Sequence, residues 1–313
     1  MYLCRVLINS LIALATLGAF VSLGSFFSKY HILFDLISHF RVQYIVMLLP
    51  AFLVAIVAKK TLPVLVISFA LAVHGYVVTM SMLPVSPDNN TEYAELTVLS
   101  SNLLLVNTDY QAQSDIIVAK DPDVIAFQEY TFEWHRVLSR KLTSYPHSII
   151  SPAYGSFGIA LYSKHPITDG AVDVFSTDSF PAINADIQVG ESNVRVMAVH
   201  PPPPGQTNMY LNRNQYMQRI ALESEAQDGA VLVMGDFNAT PWTSHFTDML
   251  AKGRLRNASA GFGFNPTWPS PIFALSIPID HILINARISV DHFESIHLQG
   301  SDHRNVLGRL RVY

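Results

Sequence analysis

A single cysteine, Cys4, stands in 313 residues, so no disulfide can form within the chain, and the compartment's redox state is left open. No group of cysteines and histidines has the spacing of a zinc site, which argues against structural or catalytic zinc. Charge is also scarce: 14% of residues are Asp, Glu, Lys or Arg, against 50% hydrophobic. That balance is too apolar for an ordinary soluble protein. There are no internal repeats, and the only biased tract is the four prolines at 201–204.

The shortage of charge is local. Residues 6–27, 42–58 and 62–83 are apolar runs of 22, 17 and 22 residues with no acidic or basic residue in them. About 20 apolar residues cross a bilayer and about 17 suffice, so the sequence predicts three transmembrane helices over residues 1–83. A cleaved signal peptide has a shorter apolar core and is not followed at once by two more such runs. Placing Arg5, Lys59 and Lys60 in the cytoplasm puts everything after Leu83 on the extracytoplasmic side. The protein therefore reads as a multi-pass protein of a bacterial inner or plasma membrane. His74, inside the third run, reads as a packed or snorkelling histidine, and the three helices as an anchor that can also serve a homo-oligomer.

A basic excess is missing as well. Five of the 20 Lys and Arg and two of the 24 Asp and Glu precede Asn89, so the remainder carries 15 against 22, a net of −7. A domain gripping long duplex nucleic acid through its phosphates usually carries the opposite balance.

Residues 84–95, with Pro84, Pro87, Asn89 and Asn90, read as a linker. Residues 96–313 suffice for one domain with a substantial core. Strands are expected at 96–99, 124–127, 158–162, 182–189, 194–199, 230–234, 279–284, 288–295 and 306–312. Helices are expected at 110–120, 132–142, 210–227 and 244–251. Strands followed by helices, then strands without them, predict an α/β fold of two packed mixed sheets with helices outside.

Polar residues recur at the ends of the apolar strands, as in a site built on a rigid sheet. Asn102 and Glu129 each follow a strand, and an amide oxygen with a carboxylate suits a hard cation such as Mg²⁺ or Mn²⁺. Gly235-Asp236-Phe237-Asn238 turns sharply after residues 231–234. An Asp there can orient or deprotonate a water, and an Asn can donate to a phosphoryl transition state. An Asx turn without chemistry is the plain alternative. His200 ends a strand ahead of the proline run and can donate to a phosphate oxygen. Asp280 and His303 can form a carboxylate–imidazole pair, and Asp302 can orient a ring or bind an ion. His165, His281 and His297 read as structural.

Eight segments stand in a telling order: Ser101-Asn102, Gln128-Glu129, residues 158–163 with Lys164-His165-Pro166-Ile167, Val199-His200, Gly235-Asp236-Phe237-Asn238, Thr267-Trp268-Pro269, Ile279-Asp280-His281-Ile282 and Ser301-Asp302-His303. This order resembles the endonuclease/exonuclease/phosphatase superfamily, which includes pancreatic-type deoxyribonuclease, abasic-site endonucleases, inositol polyphosphate 5-phosphatases and neutral sphingomyelinases. The likeness covers roughly residues 95–313, and the anchored arrangement resembles bacterial members of that superfamily.

The resemblance implies a four-layer α/β sandwich and Mg²⁺- or Mn²⁺-dependent hydrolysis of a phosphoester. By motif, Asn102 and Glu129 resemble metal ligands, with Asp302 a further one. Asp236 resembles the residue that positions or activates the attacking water, and Asn238 a transition-state contact. Asp280 and His303 resemble the Asp–His dyad, and His200 the phosphate-contacting histidine. Some abasic-site enzymes carry an acidic residue two positions after the Asn, where this chain has Leu104. That subgroup's substrate therefore does not transfer. Nucleic acid, a phospholipid and a small phosphodiester remain as substrate classes, and a catalytically silent binding module is the alternative of a different kind.

Overall fold

The computed structural model describes residues 2–84 and 92–313. Most of the expected linker, residues 85–91, lies outside the described residues. The chain divides into two compact units, one of residues 1–83 with 242–245, the other of residues 84–241 with 246–313.

The first unit is helical: α1 (Tyr2–Leu23), α2 (Ile32–Ser38), α3 (Arg41–Val57) and α4 (Thr61–Met82). Two stretches, Arg5–Phe27 and Thr61–Met82, are helical, long and apolar enough to cross a membrane. The expected run at 42–58 falls in α3, which reaches that length only together with α2, from which it bends by 66°. The short α2 was not foreseen. His74 is fully buried, as expected of a packed histidine. Its Nδ1 lies 3.0 Å from Arg41 Nη1 and its Nε2 2.9 Å from Ser22 Oγ. An arginine can only donate, so Nδ1 accepts and Nε2 carries the proton given to Ser22.

The second unit is a sandwich of two six-stranded mixed sheets. The first contains β1 (Ala94–Asn102), β2 (Val124–Gln128), β3 (His147–Ser151), β4 (Ile159–Ser163), β11 (Ile288–His297) and β12 (Arg304–Val312), in the order β11-β12-β1-β2-β4-β3. The second contains β5 (Ile167–Val174), β6 (Pro181–Val189), β7 (Ser192–Val199), β8 (Ala230–Asp236), β9 (Arg256–Asn257) and β10 (Asp280–Ile284), in the order β5-β6-β7-β8-β10-β9. Each sheet has one parallel pair near its middle, β1 with β2 and β7 with β8. A parallel neighbour requires a crossover, which α5 (Tyr110–Lys120) and α7 (Thr207–Glu225) supply.

Side chains alternate across each strand, and this chain uses both faces. Leu96, Val98, Val124, Ala126, Ile183, Val196, Leu232, Met234 and Ile282 meet between the sheets. The intervening Leu99, Ile125 and Phe127 pack outward on Ile117 of α5 and on Trp134 and Leu138 of α6 (Phe132–Lys141). Val231, Val233 and Leu283 pack on Tyr216, Met217 and Ile220 of α7 and on Phe246 and Met249 of α8 (Ser244–Lys252). Three apolar interfaces make four layers, the sandwich expected. Each fully buried aliphatic or aromatic side chain contributes about 1.5–3 kcal/mol, so the strands that are apolar on both faces dominate.

Three strands were not foreseen. β3 and β5 lie at sheet edges and are largely half-buried or exposed, so they lack the apolar runs that mark the central strands. β9 is two residues long. The α6 start is local chemistry: Thr131 caps it by accepting from the Trp134 amide at 3.2 Å, and Arg140 and Lys141 occupy the last turn, favourable to the helix dipole.

Candidate active site

Strand parity sets the site. Along β1 the inward series Leu96, Val98, Ser100 ends at Asn102, and along β8 the series Ala230, Leu232, Met234 ends at Asp236. Along β10, Ile284 and Ile282 lead back to Asp280, and along β7, Val196 and Ala198 lead to His200. Register brings these ends together: Asn102 pairs with Gln128, Val199 with Gly235, and Asp236 with Asp280. The polar residues therefore close one end of the gap between the sheets, where the apolar filling stops.

Two hydrogen bonds cross that gap. Asn102 Nδ2 donates to Asp236 Oδ2 at 3.1 Å, and His303, from the turn between β11 and β12, places Nδ1 2.9 Å from Asp280 Oδ2. His303 Nε2 then lies 3.8 Å from Asp236 Oδ2, and His200 Nε2 3.6 Å from the same oxygen. Asp236 Oδ1 accepts from the Asn238 amide at 2.8 Å, and Asn238 Nδ2 donates to Pro201 O at 3.0 Å. The side chains of Asp236, Asp280 and His303 offer ligand atoms within 4.8 Å of one another.

Gly235 permits the closeness of His200 and Asp236. A Cβ there would lie 1.9 Å from Val199 O, so no other residue fits against β7 in this register. Glu129, Leu104 and Asn238 all hold positive φ, at 54°, 60° and 48°. Such backbone costs of order 1–3 kcal/mol per residue and collects where the surroundings over-determine it. Here the surroundings are amide bonds: Leu104 N donates to Asn102 Oδ1 at 3.0 Å, and Leu105 N to Glu129 Oε2. Consecutive amides thus hold the two residues that resemble metal ligands.

Burial and charge tune the ionisable groups. Desolvation raises the Asp236 carboxyl, but the facing His303 and His200 imidazoles and the Asn238 amide outweigh it and hold Asp236 below the usual range. Desolvation raises Asp280, and the nearby Asp236 charge adds to it. Desolvation lowers His303, yet the two carboxylates it faces lift it to about 10. The imidazole is therefore held as a cation between two acids.

Of the eight site residues read from the sequence, Asn102, His200, Asp236, Asn238, Asp280 and His303 form one bonded or facing group. Asp302 borders it, its Oδ1 4.0 Å from His303 Nε2 and its Oδ2 accepting from Trp268 Nε1 at 2.8 Å. Glu129 is tied to the Asn102 loop through Leu105 but belongs to no converging trio of acids and histidines among the described residues. Other supports had no role in the sequence reading. Thr267 Oγ1 accepts from the amides of Ile279 and Asp280 at 3.1 and 3.2 Å, and Ser301 Oγ donates to Asn102 O at 3.0 Å. Thr267 and Trp268 stood in one of the ordered segments, whereas Arg213, fully buried on α7, gave no signal.

The donor set suits a hard cation. Asn102, Glu129, Asp236 and Asp302 offer oxygens, and Asp302 Oδ1 is a buried atom with no hydrogen-bond partner.

A two-sheet sandwich with paired carboxylates and an imidazole at one end is a rigid scaffold that carries a site suited to acid–base chemistry or a hard cation. The Endonuclease/Exonuclease/phosphatase family matches residues 99–303, and the chain belongs to that family. Its members hydrolyse phosphoester bonds. Solved structures agree on the fold. The endonuclease/exonuclease/phosphatase from Bacteroides vulgatus superposes with a TM-score of 0.59 at 16% identity, covering 70% of this chain and 99% of the other. D. rerio TDP2 complexed with single-strand DNA product gives 0.56 at 18% identity, covering 69% and 98%. Sphingomyelinase C from Streptomyces griseocarneus gives 0.51 at 18%, covering 69% and 99%. No curated protein matches the chain.

Proposed function

We propose that this protein is a membrane-anchored, divalent-metal-dependent phosphodiester hydrolase with its site in residues 96–313, tethered by three N-terminal spans and facing the extracytoplasmic side. The observation that carries the reading is the Asp280–His303 pair facing Asp236 across the sheets, with a second imidazole, His200, on the same carboxylate. Counting α2 and α3 as one bent span supports three crossings. The linker is then residues 84–93, because Ala94 and Glu95, which the sequence placed in it, already pair in β1.

Asn102, Glu129 and Asp302 would hold Mg²⁺ or Mn²⁺, which neutralises phosphoryl charge and stabilises the leaving oxygen. The protein's own groups do the rest. Asp236 is held ionised between two imidazoles and aligns the attacking water through a carboxylate oxygen. His303, kept cationic by Asp280 and Asp236, donates to a phosphoryl oxygen as negative charge grows there. His200 and Asn238 donate to the other oxygens. Fixed donors in a buried site act strongly because they need no reorganisation when the charge develops.

Two substrate classes have specific support. The fold shared with a protein bound to a single-strand DNA product favours a nuclease. The net charge of −7 and the bilayer-length helices favour a lipid head group or small phosphodiester. The full chain in detergent, with Mg²⁺ or with EDTA, is to be tested on supercoiled plasmid, single-stranded oligonucleotide, bis(p-nitrophenyl) phosphate and mixed phospholipids. Metal-dependent nicking lost in His303→Ala establishes the nuclease, and cleavage of the lipid or small diester alone establishes the other class. Silence on every substrate leaves a binding module.

A further inference from the structure

The turn that carries Asp236 and Asn238 is held from behind by two buried side chains. Arg213 of α7 is fully buried, and its Nη1 donates to Asn238 O at 3.1 Å. Its Nε and Nη2 reach Asn214 Oδ1 at 3.3 and 3.2 Å, and its guanidinium lies 5.4 Å from the centre of the Tyr210 ring. The next carbonyl, Ala239 O, lies 2.9 Å from His281 Nε2. Consecutive carbonyls of one turn are thus gripped by a guanidinium and an imidazole.

The grip falls where the backbone needs it. Asn238 has φ of 48°, the left-handed region, which costs roughly 1–2 kcal/mol for a residue with a side chain. The two peptide planes that flank Asn238 define that conformation. Asp236 Oδ1 fixes one by accepting the Asn238 amide, and Arg213 fixes the other through the Asn238 carbonyl. Release of the second plane frees Asn238 to relax, which removes a backbone donor from Asp236 and shifts the Asn238 side chain, whose Nδ2 bonds Pro201 O beside His200.

We propose that Arg213 is a positioning residue that sets the geometry of the Asp236–Asn238 turn through the Asn238 carbonyl and thereby governs turnover. It touches neither substrate nor metal. The proposal rests on the phosphodiesterase reading above only for its kinetic readout.

The test compares the full chain with Arg213→Met and Arg213→Ala in detergent, using bis(p-nitrophenyl) phosphate and Mg²⁺. Misplacement of a catalytic group by about 1 Å costs up to ~10²-fold, so kcat should fall by ~10- to 10²-fold while KM stays within about threefold. Arg213→Met fills much of the buried volume without a charge but leaves Asn238 O and Asn214 Oδ1 without their donor, so its thermal midpoint should fall by several degrees while the chain still melts cooperatively. Guanidinium at millimolar concentration should restore part of the kcat of Arg213→Ala and leave the parent unaffected. A kcat for Arg213→Met within about twofold of the parent overturns the proposal, as does a loss in Arg213→Ala that guanidinium does not relieve. If the parent chain is silent on the diester, the phosphodiesterase reading fails by itself. A crystal structure of Arg213→Met then decides: Asn238 moved out of the left-handed region supports the proposal, and Asn238 unmoved overturns it.

Discussion

His281 offers the sharpest stability test, because its environment is closed on every side. It is 1% exposed, walled by Phe237 and Phe246, with Nδ1 3.0 Å from Asn257 Nδ2 and Nε2 2.9 Å from Ala239 O. Ala239 O can only accept, so Nε2 carries the hydrogen and Nδ1 receives the Asn257 amide. The Asn257 bond requires the neutral ring, whereas the bond to Ala239 O favours the charged one, and burial outweighs it. Burial lowers the histidine from 6.5 to about 4. The unfolded chain therefore takes up a proton near pH 6.5 that the folded chain refuses until about pH 4. The stability due to the neutral ring is complete above pH 6.5 and is lost as pH falls toward 4. At 1.36 kcal/mol per pH unit the loss over that window is about 3 kcal/mol. For a unit of this size that corresponds to a fall of roughly 6–12 °C in Tm. His281→Gln supplies a donor and an acceptor but no proton uptake. Tryptophan-fluorescence melts of the full chain in detergent, from pH 7.5 to 4, should show a slope for the parent that is smaller in the variant by about that amount. Parallel curves for the two proteins would refute the reasoning.

Further outcomes concern the site and its frame. Separate His303→Ala and Asp236→Asn changes should each lower turnover at least ~10²-fold with the far-ultraviolet circular dichroism spectrum preserved; near-normal turnover removes that residue from the mechanism. EDTA should abolish hydrolysis and excess Mg²⁺ restore it, whereas hydrolysis that persists in EDTA excludes the role given to Asn102, Glu129 and Asp302. Gly235→Ala drives a methyl group against Val199 O and should cost at least about 3 kcal/mol, the upper range of overpacking. A Tm within about 2 °C of the parent would show that β7 and β8 yield more easily than their register implies.

Much of the architecture is legible from strands that are apolar on both faces. Residues 124–128, 159–163 and 230–236 are buried throughout, so each left an unbroken apolar run. β3 and β5 left none, because an edge strand is stabilised by one neighbour and needs few apolar side chains. The N-terminal helices are a similar case. Composition marks three runs, but the helix at 41–57 reaches spanning length only across a 66° bend that hydropathy does not record.

The sequence by itself determined which side chains the strands deliver to their ends, because alternation is local: Asn102, His200, Asp236 and Asp280 continue the inward series of their strands. It also marked the order of segments that identifies the family. Tertiary structure decided what those side chains meet. Asn102 and Asp236 come from different sheets, and His303, in the β11–β12 turn of one sheet, meets Asp280 of the other, so only the packing of the sheets creates either bond. The direction of every shifted proton affinity at the site follows from that meeting, since burial and facing charges belong to the packed state. Arg213 shows the limit most plainly. Nothing in the sequence marks it, and it becomes a buried support of the Asp236–Asn238 turn only when α7 packs against β8.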